Sequence, residues 1–206
     1  MITGVITGDI IKSRGQKNPD IWLNTLRNAL SYLCPDEKYW IIYRGDSFQL
    51  EINNFSESFK YATYLKACIK SIHGLDVRLA IGIGNKTYDG QSVSESNGEA
   101  FVFSGEALEK TKKEKQNLLI KTNRSQMDFE LNLYFRLILI ALDNWTVKAA
   151  EIVKLSIENP NTLQSELGEI IGINQNAVST RQKRAYLDEI LALDNMFKEK
   201  VAIFLI

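Results

Sequence analysis

A chain of 206 residues with 45% hydrophobic content suits one large or two small packed domains. Its 25 basic and 25 acidic side chains balance, so global charge selects no polyanionic partner and only a local cluster could do so. Cys34 and Cys68 lack metal-ligand or disulfide spacing, the N-terminus lacks a signal pattern, and no apolar run reaches spanning length, so a cytoplasmic protein without a membrane partner is expected.

Ile2–Thr7 reads as a strand that closes on Gly8-Asp9. Asn18-Pro19 offers a cap and a first helical residue, followed by Trp22, Leu26, Ala29, Leu30 and Leu33 at helical spacing. Tyr39–Tyr43 and the alternating Phe48, Leu50 and Ile52 flank Gly45-Asp46 as a hairpin. A second helix is predicted from near Ser56 to Ile72, stopped by Gly74, and a β-branched strand over Val77–Ile83. A polar loop over Asn85–Asn97 then leads to a third helix from about Gly98 to Lys115 and a short strand at Leu118–Ile120. The order β-α-β-β-α-β, then α-β, predicts an α+β fold with a ferredoxin-like palm, a sheet with helices on one face.

In that topology the first strand lies beside the hairpin at the centre of the sheet, which sets Asp46 opposite Asp9. Two close carboxylates raise each other's pKa unless a cation stands between them, and Mg²⁺ held by carboxylates and substrate phosphates is the usual solution. Gly8 and Gly45, each just before its Asp, would let a phosphate approach the backbone. Either Asp alone reads as a turn residue; the pair on this topology favours a metal site.

"VITGDIIKSR", "YRGDSFQLEI", "DVRLAIGIG" and "GEALEKTKKEKQN" follow the order of the metal-binding strand, signature hairpin, core strand and last helix of nucleotidyl cyclase palms, as in GGDEF domains and class III cyclases. Together with the C-terminal segment described below, the chain most resembles the SatD family of bacterial proteins. The resemblance covers roughly residues 1–122. It implies that Asp9 and Asp46 hold Mg²⁺, that the backbone at Ile10, Ile11 and Ser13 with Gly45 cradles the phosphates of a nucleoside triphosphate or cyclic nucleotide, and that Lys112 contacts phosphate. Ser47 replaces the glutamate of GGDEF domains, and Gln116 stands where their arginine would be. The Asn and Arg of class III cyclases are missing around Phe103, Glu106 and Ala107. Such donors are worth about 3–4 kcal/mol each to a developing charge. Their loss implies binding with slow or no turnover, unless Lys12, Arg14 or Arg44 supplies charge.

The second half is helical. Ser125–Asn144 carries Leu131, Phe135, Ile138 and Leu142, a connecting helix, and Trp145–Ile157 continues until Asn159-Pro160. In "NTLQSELGEIIGINQNAVSTRQKRA", Thr162 opens a helix whose apolar stripe is Leu163, Leu167 and Ile170. Gly172 closes it, Ile173 plugs the turn, and Gln175–Ala185 forms a second helix with Val178 facing inward. This is a helix-turn-helix pattern. Gln175, Asn176, Ser179, Thr180, Arg181, Gln182, Lys183 and Arg184 lie on or beside its outer face, with no acid among them, and suit base edges and phosphates. Tyr186–Ile206 is amphipathic, packed either on the Ser125–Asn144 helix or against a second subunit, which makes a homodimer a candidate partner state. His73, the sole histidine, precedes Gly74 and reads as a capping or surface residue.

The expected organisation is a nucleotidyl cyclase-like palm over residues 1–123, a connecting helix over 124–144 and a helix-turn-helix domain over 145–206. The expected function is a DNA-binding transcriptional regulator whose palm holds a nucleotide through Mg²⁺. The alternative is an active nucleotidyl cyclase or nucleotidyltransferase with a helical dimerisation tail.

Overall fold

The computed structural model describes residues 1–15, 18–43 and 45–205. It opens with β1 (Ile2–Ile11) and a short 3-10 turn at Ser13–Gly15. α1 (Pro19–Leu33) is capped by the Asn18 side chain, which accepts from the Asp20 amide, and has Pro at its start. β2 (Trp40–Tyr43), β3 (Ser47–Ile52), α2 (Ser58–Lys70) and β4 (Asp76–Tyr88) follow. β4 thus runs through the first residues of the expected loop, because Lys86 and Tyr88 pair with β5 (Asn97–Gly98). α3 (Glu99–Glu114) and β6 (Leu118–Lys121) complete the first half.

The strand order is β2-β3-β1-β4-β5, with β1 antiparallel to both β3 and β4 and with β6 parallel to β4. The first strand is central and lies beside the hairpin, as its sequence position predicts. The helices, however, cover both faces. Ile6 and Ile10 of β1 point into the cluster that holds Trp22, Leu26 and Leu65 of α1 and α2. On the other face Val5 packs with Ala100 and Phe101, and the Thr7 and Ser104 hydroxyls hydrogen-bond at 2.9 Å. The reason lies in β4, where Ala80, Gly82 and Gly84 alternate with Leu79, Ile81 and Ile83. A Cβ on Gly82 would stand 2.1 Å from the Ala100 carbonyl oxygen, so the small side of β4 is the bed of α3.

α4 (Ser125–Leu142), α5 (Val147–Glu158), α6 (Gln164–Ile171), α7 (Gln175–Ala185) and α8 (Leu187–Val201) form the second half. Phe135 of α4 stacks between Phe59 of α2, 5.2 Å away, and Phe197 of α8, 6.2 Å away. α8 therefore spends its apolar face inside the chain. One hydrophobic cluster runs from Ile6 through Phe135 to Val178 and Phe197, so the three expected stretches share a core. The opposite stripe of α4, Phe129, Leu133, Leu137 and Ile140, is exposed. Among the described residues no helix is long and apolar enough to cross a membrane.

Candidate functional site

Asp9 pairs in register with Ser47 of β3 and Arg78 of β4, and the Ile10 amide donates to the Asp46 carbonyl oxygen at 2.9 Å. The two aspartates expected as a pair therefore sit at the same end of the sheet. Their side chains have other partners. Arg78 Nη1 lies 3.1 Å from Asp9 Oδ2, and Ser13 Oγ donates to Asp46 Oδ2 at 2.8 Å. Asp9 Oδ1 is buried without a hydrogen-bond partner among the described residues. Arg78 is the residue that sequence reasoning missed; its signal is a cation in the middle of an otherwise apolar strand run.

Just beyond Asp9 the chain turns. Lys12 adopts a left-handed conformation, φ 66°, and the Gly15 amide returns to the Lys12 carbonyl oxygen at 3.1 Å. Gly45 has φ 86° and open space where a Cβ would project, which suits a close approach. Gly8 is glycine for a different reason: a Cβ there would meet the Phe48 ring at 2.5 Å. Its role is packing against the core, and the expectation of an open approach at Gly8 is corrected.

The last-helix residues stand elsewhere. Lys112 is exposed and pairs with Glu109 on its own helix at 3.4 Å. Gln116 is buried and donates to the carbonyls of Leu118 and Asn132 while accepting from Arg136 Nε. It bolts β6 to α4 and has no free donor to offer. Arg44 and the side chain of Arg14 lie outside the described residues. No group of three or more His, Cys, Asp or Glu side chains able to hold a metal occurs among the described residues. Burial pushes the Cys68 thiol up to about 12 and raises that of Cys34, so neither is a ready nucleophile.

In the second half, the cap residue of α6 is Leu163, whose amide donates to Glu166 Oε2 at 3.0 Å, one residue later than the Thr162 opening expected. Leu163 and Ile170 are exposed, and Leu167 alone of the expected stripe is buried. Gly172 closes the helix with φ 69°. Gly168 permits the turn, since a Cβ would lie 2.4 Å from the Ile173 carbonyl oxygen; its spacing to Gly172 was the overlooked signal. α7 begins after Asn174, whose side chain accepts from the Ala177 amide at 2.9 Å, and Val178 is fully buried. Gln182 turns inward, donating to Ser156 Oγ and accepting from Gln164, so it leaves the outer face.

Asn176, Thr180, Arg181 and Arg184 line a cleft of about 1210 Å³ together with Ile11 and Lys12 from the end of β1 and Lys148 from the first turn of α5. Gln175, Ser179 and Lys183 do not line it. The cleft's two acids, Asp76 and Asp143, are neutralised from beneath. Buried Lys66 lies 2.7 Å from each, and Lys70 pairs with Asp76 and donates to the Asp143 carbonyl oxygen. Lys12, Lys148, Arg181 and Arg184 have no ion-pair partner among the described residues. The wall is thus positive in a chain whose total charge is zero.

Compared with protein-family models, with curated proteins and with solved structures, the chain finds no match.

Proposed function

We propose that the chain is a DNA-binding regulator in which α6 and α7 act as a helix-turn-helix, α7 being the reading helix. The observation that carries this reading is the face of α7. It holds Asn176, Thr180, Arg181 and Arg184, has no acid, and opens on a cleft rather than packing on the core. Ser179 and Lys183 flank it, and Gln175 stands at the first turn, where reading helices meet base edges.

The second part of the reading concerns the end of β1, and it follows the palm resemblance to the SatD family. What supports Mg²⁺ is a pair of carboxylates at one sheet end, one of them with a buried oxygen lacking a partner among the described residues. Asp9 and Asp46 would hold the ion, which would neutralise the phosphates of a nucleoside triphosphate or cyclic nucleotide. Ile10, Ile11 and Ser13 with Gly45 would shape the backbone around those phosphates. The engagement of Gln116 by β6 and α4 supports binding over turnover, against the nucleotidyl cyclase alternative, while the pairing of Lys112 with Glu109 leaves the phosphate contact to other residues. A homodimer, if formed, has the α4 stripe available, because α8 is used within the chain.

The test is equilibrium binding to mixed-sequence duplex DNA by wild type and by the double variant Arg181→Ala with Arg184→Ala. The reading expects weaker binding and a shallower salt dependence in the variant, the slope falling by about 0.9 for each phosphate that is no longer neutralised. Equal affinity and slope would refute α7 as the reading helix.

A further inference from the structure

The cleft that α7 lines is lined also by Ile11 and Lys12, from the other half of the chain. Resting on the proposal that α7 reads DNA, we propose that the DNA site is composite. Lys12, at the end of β1, and Lys148, on the first turn of α5, grip the phosphodiester backbone of the same duplex whose groove takes α7.

Three observations point there. Lys12, Lys148, Arg181 and Arg184 come from three separate elements yet line one cleft, and none has an ion-pair partner among the described residues. Long cations left unpaired around a shared concavity focus a positive potential into it. Second, the acids that would oppose an anion already have counter-charge beside them. Lys66 and Lys70 hold Asp76 and Asp143 from the floor, and Asn117 Nδ2 donates to Asp143 Oδ2 at 3.0 Å. Third, the first turn of α5 opens on the same cleft. Thr146 and Val147 line it beside Lys148, and Thr146 caps the helix by accepting from the Ala149 amide. Backbone amides at a helix start favour a phosphate, and the neighbouring cations supply its counter-charge.

Lys12 links this site to the sheet end. It stands two residues beyond Ile10, whose amide is tied to the Asp46 carbonyl, and it lines the cleft with a left-handed backbone.

The experiment measures affinity against salt for a labelled mixed-sequence duplex about three helical turns long. The variants are Lys12→Gly, which keeps the positive φ, Lys148→Gln, their combination, and Lys113→Gln on α3 as a charge control outside the cleft. The expected result is a salt slope reduced by about 0.9 in each cleft single and about twice that in the double, with Lys113→Gln unchanged. An unchanged slope in the double, while Arg181→Ala with Arg184→Ala loses affinity, would overturn the composite site and leave α7 as reader. No DNA binding by wild type would sink both.

Discussion

Asp9 of β1 and Arg78 of β4 stand opposite each other in register, and the guanidinium lies 3.1 Å from the carboxylate. An acid among the last residues of a central strand, which runs on to Ile11 rather than closing at Asp9, is tolerated because the neighbouring strand presents a cation to the same face. This pairing satisfies one oxygen of Asp9 and leaves the other buried and without a partner among the described residues. Arg78→Met removes the counter-charge from a carboxylate that is 17% exposed. The cost should be about 1–2 kcal/mol, below that of a fully buried pair because solvent reaches the guanidinium. Urea unfolding checks it. The same variant should gain more stability from MgCl₂ than wild type does, since the competing cation is gone; an equal response would argue against a metal at Asp9.

The bed of α3 makes a contrasting pair of glycine predictions. Gly82→Ala forces a methyl to within 2.1 Å of the Ala100 carbonyl oxygen and should cost roughly 1–3 kcal/mol or more by overpacking. Gly105→Ala, on α3 itself with nothing within 4 Å of the new Cβ, should gain about 0.5–1 kcal/mol. Thermal denaturation of the two variants reads both signs.

How much of this was legible follows from residues. The α1 cap at Asn18-Pro19, the hairpin around Gly45-Asp46, the stop at Gly172 and the inward Val178 all rest on local chemistry, and each lies where that chemistry puts it. The second helical face of the sheet was written in the sequence as the Ala-x-Gly-x-Gly alternation of β4, yet small residues announce a neighbour without naming it. Partners distant in sequence were not legible. Arg78 for Asp9, Asn132 for Gln116 and Ser156 for Gln182 depend on how elements dock, which no spacing rule encodes. The cleft is of the same kind, because Lys12 and Arg181 come to line it together only through the fold.

Burial of Cys68 makes a chemical prediction. Its thiol is raised from 9.0 to about 12, so at neutral pH it stays protonated and shielded. A disulfide reagent should label Cys34, which is partly exposed, and reach Cys68 only as the protein unfolds. The sign for stability follows. A raised folded-state pKa means that the contribution is complete below pH 9 and is lost as pH climbs toward 12. Cys68→Ala should flatten that alkaline limb in a series of urea titrations.

In the proposed reading α7 reads DNA while the end of β1 holds a Mg²⁺-bound nucleotide that alters the reading. Coupling requires that the ligand change DNA affinity by a definite factor, reciprocally. The most direct measurement is the dissociation constant for duplex DNA with and without each Mg²⁺-nucleoside triphosphate, for wild type and Asp9→Asn. The account predicts a nucleotide-dependent change of at least about fivefold in wild type, abolished by Asp9→Asn. Tight DNA binding that is identical in both proteins, with or without any nucleotide, would contradict it.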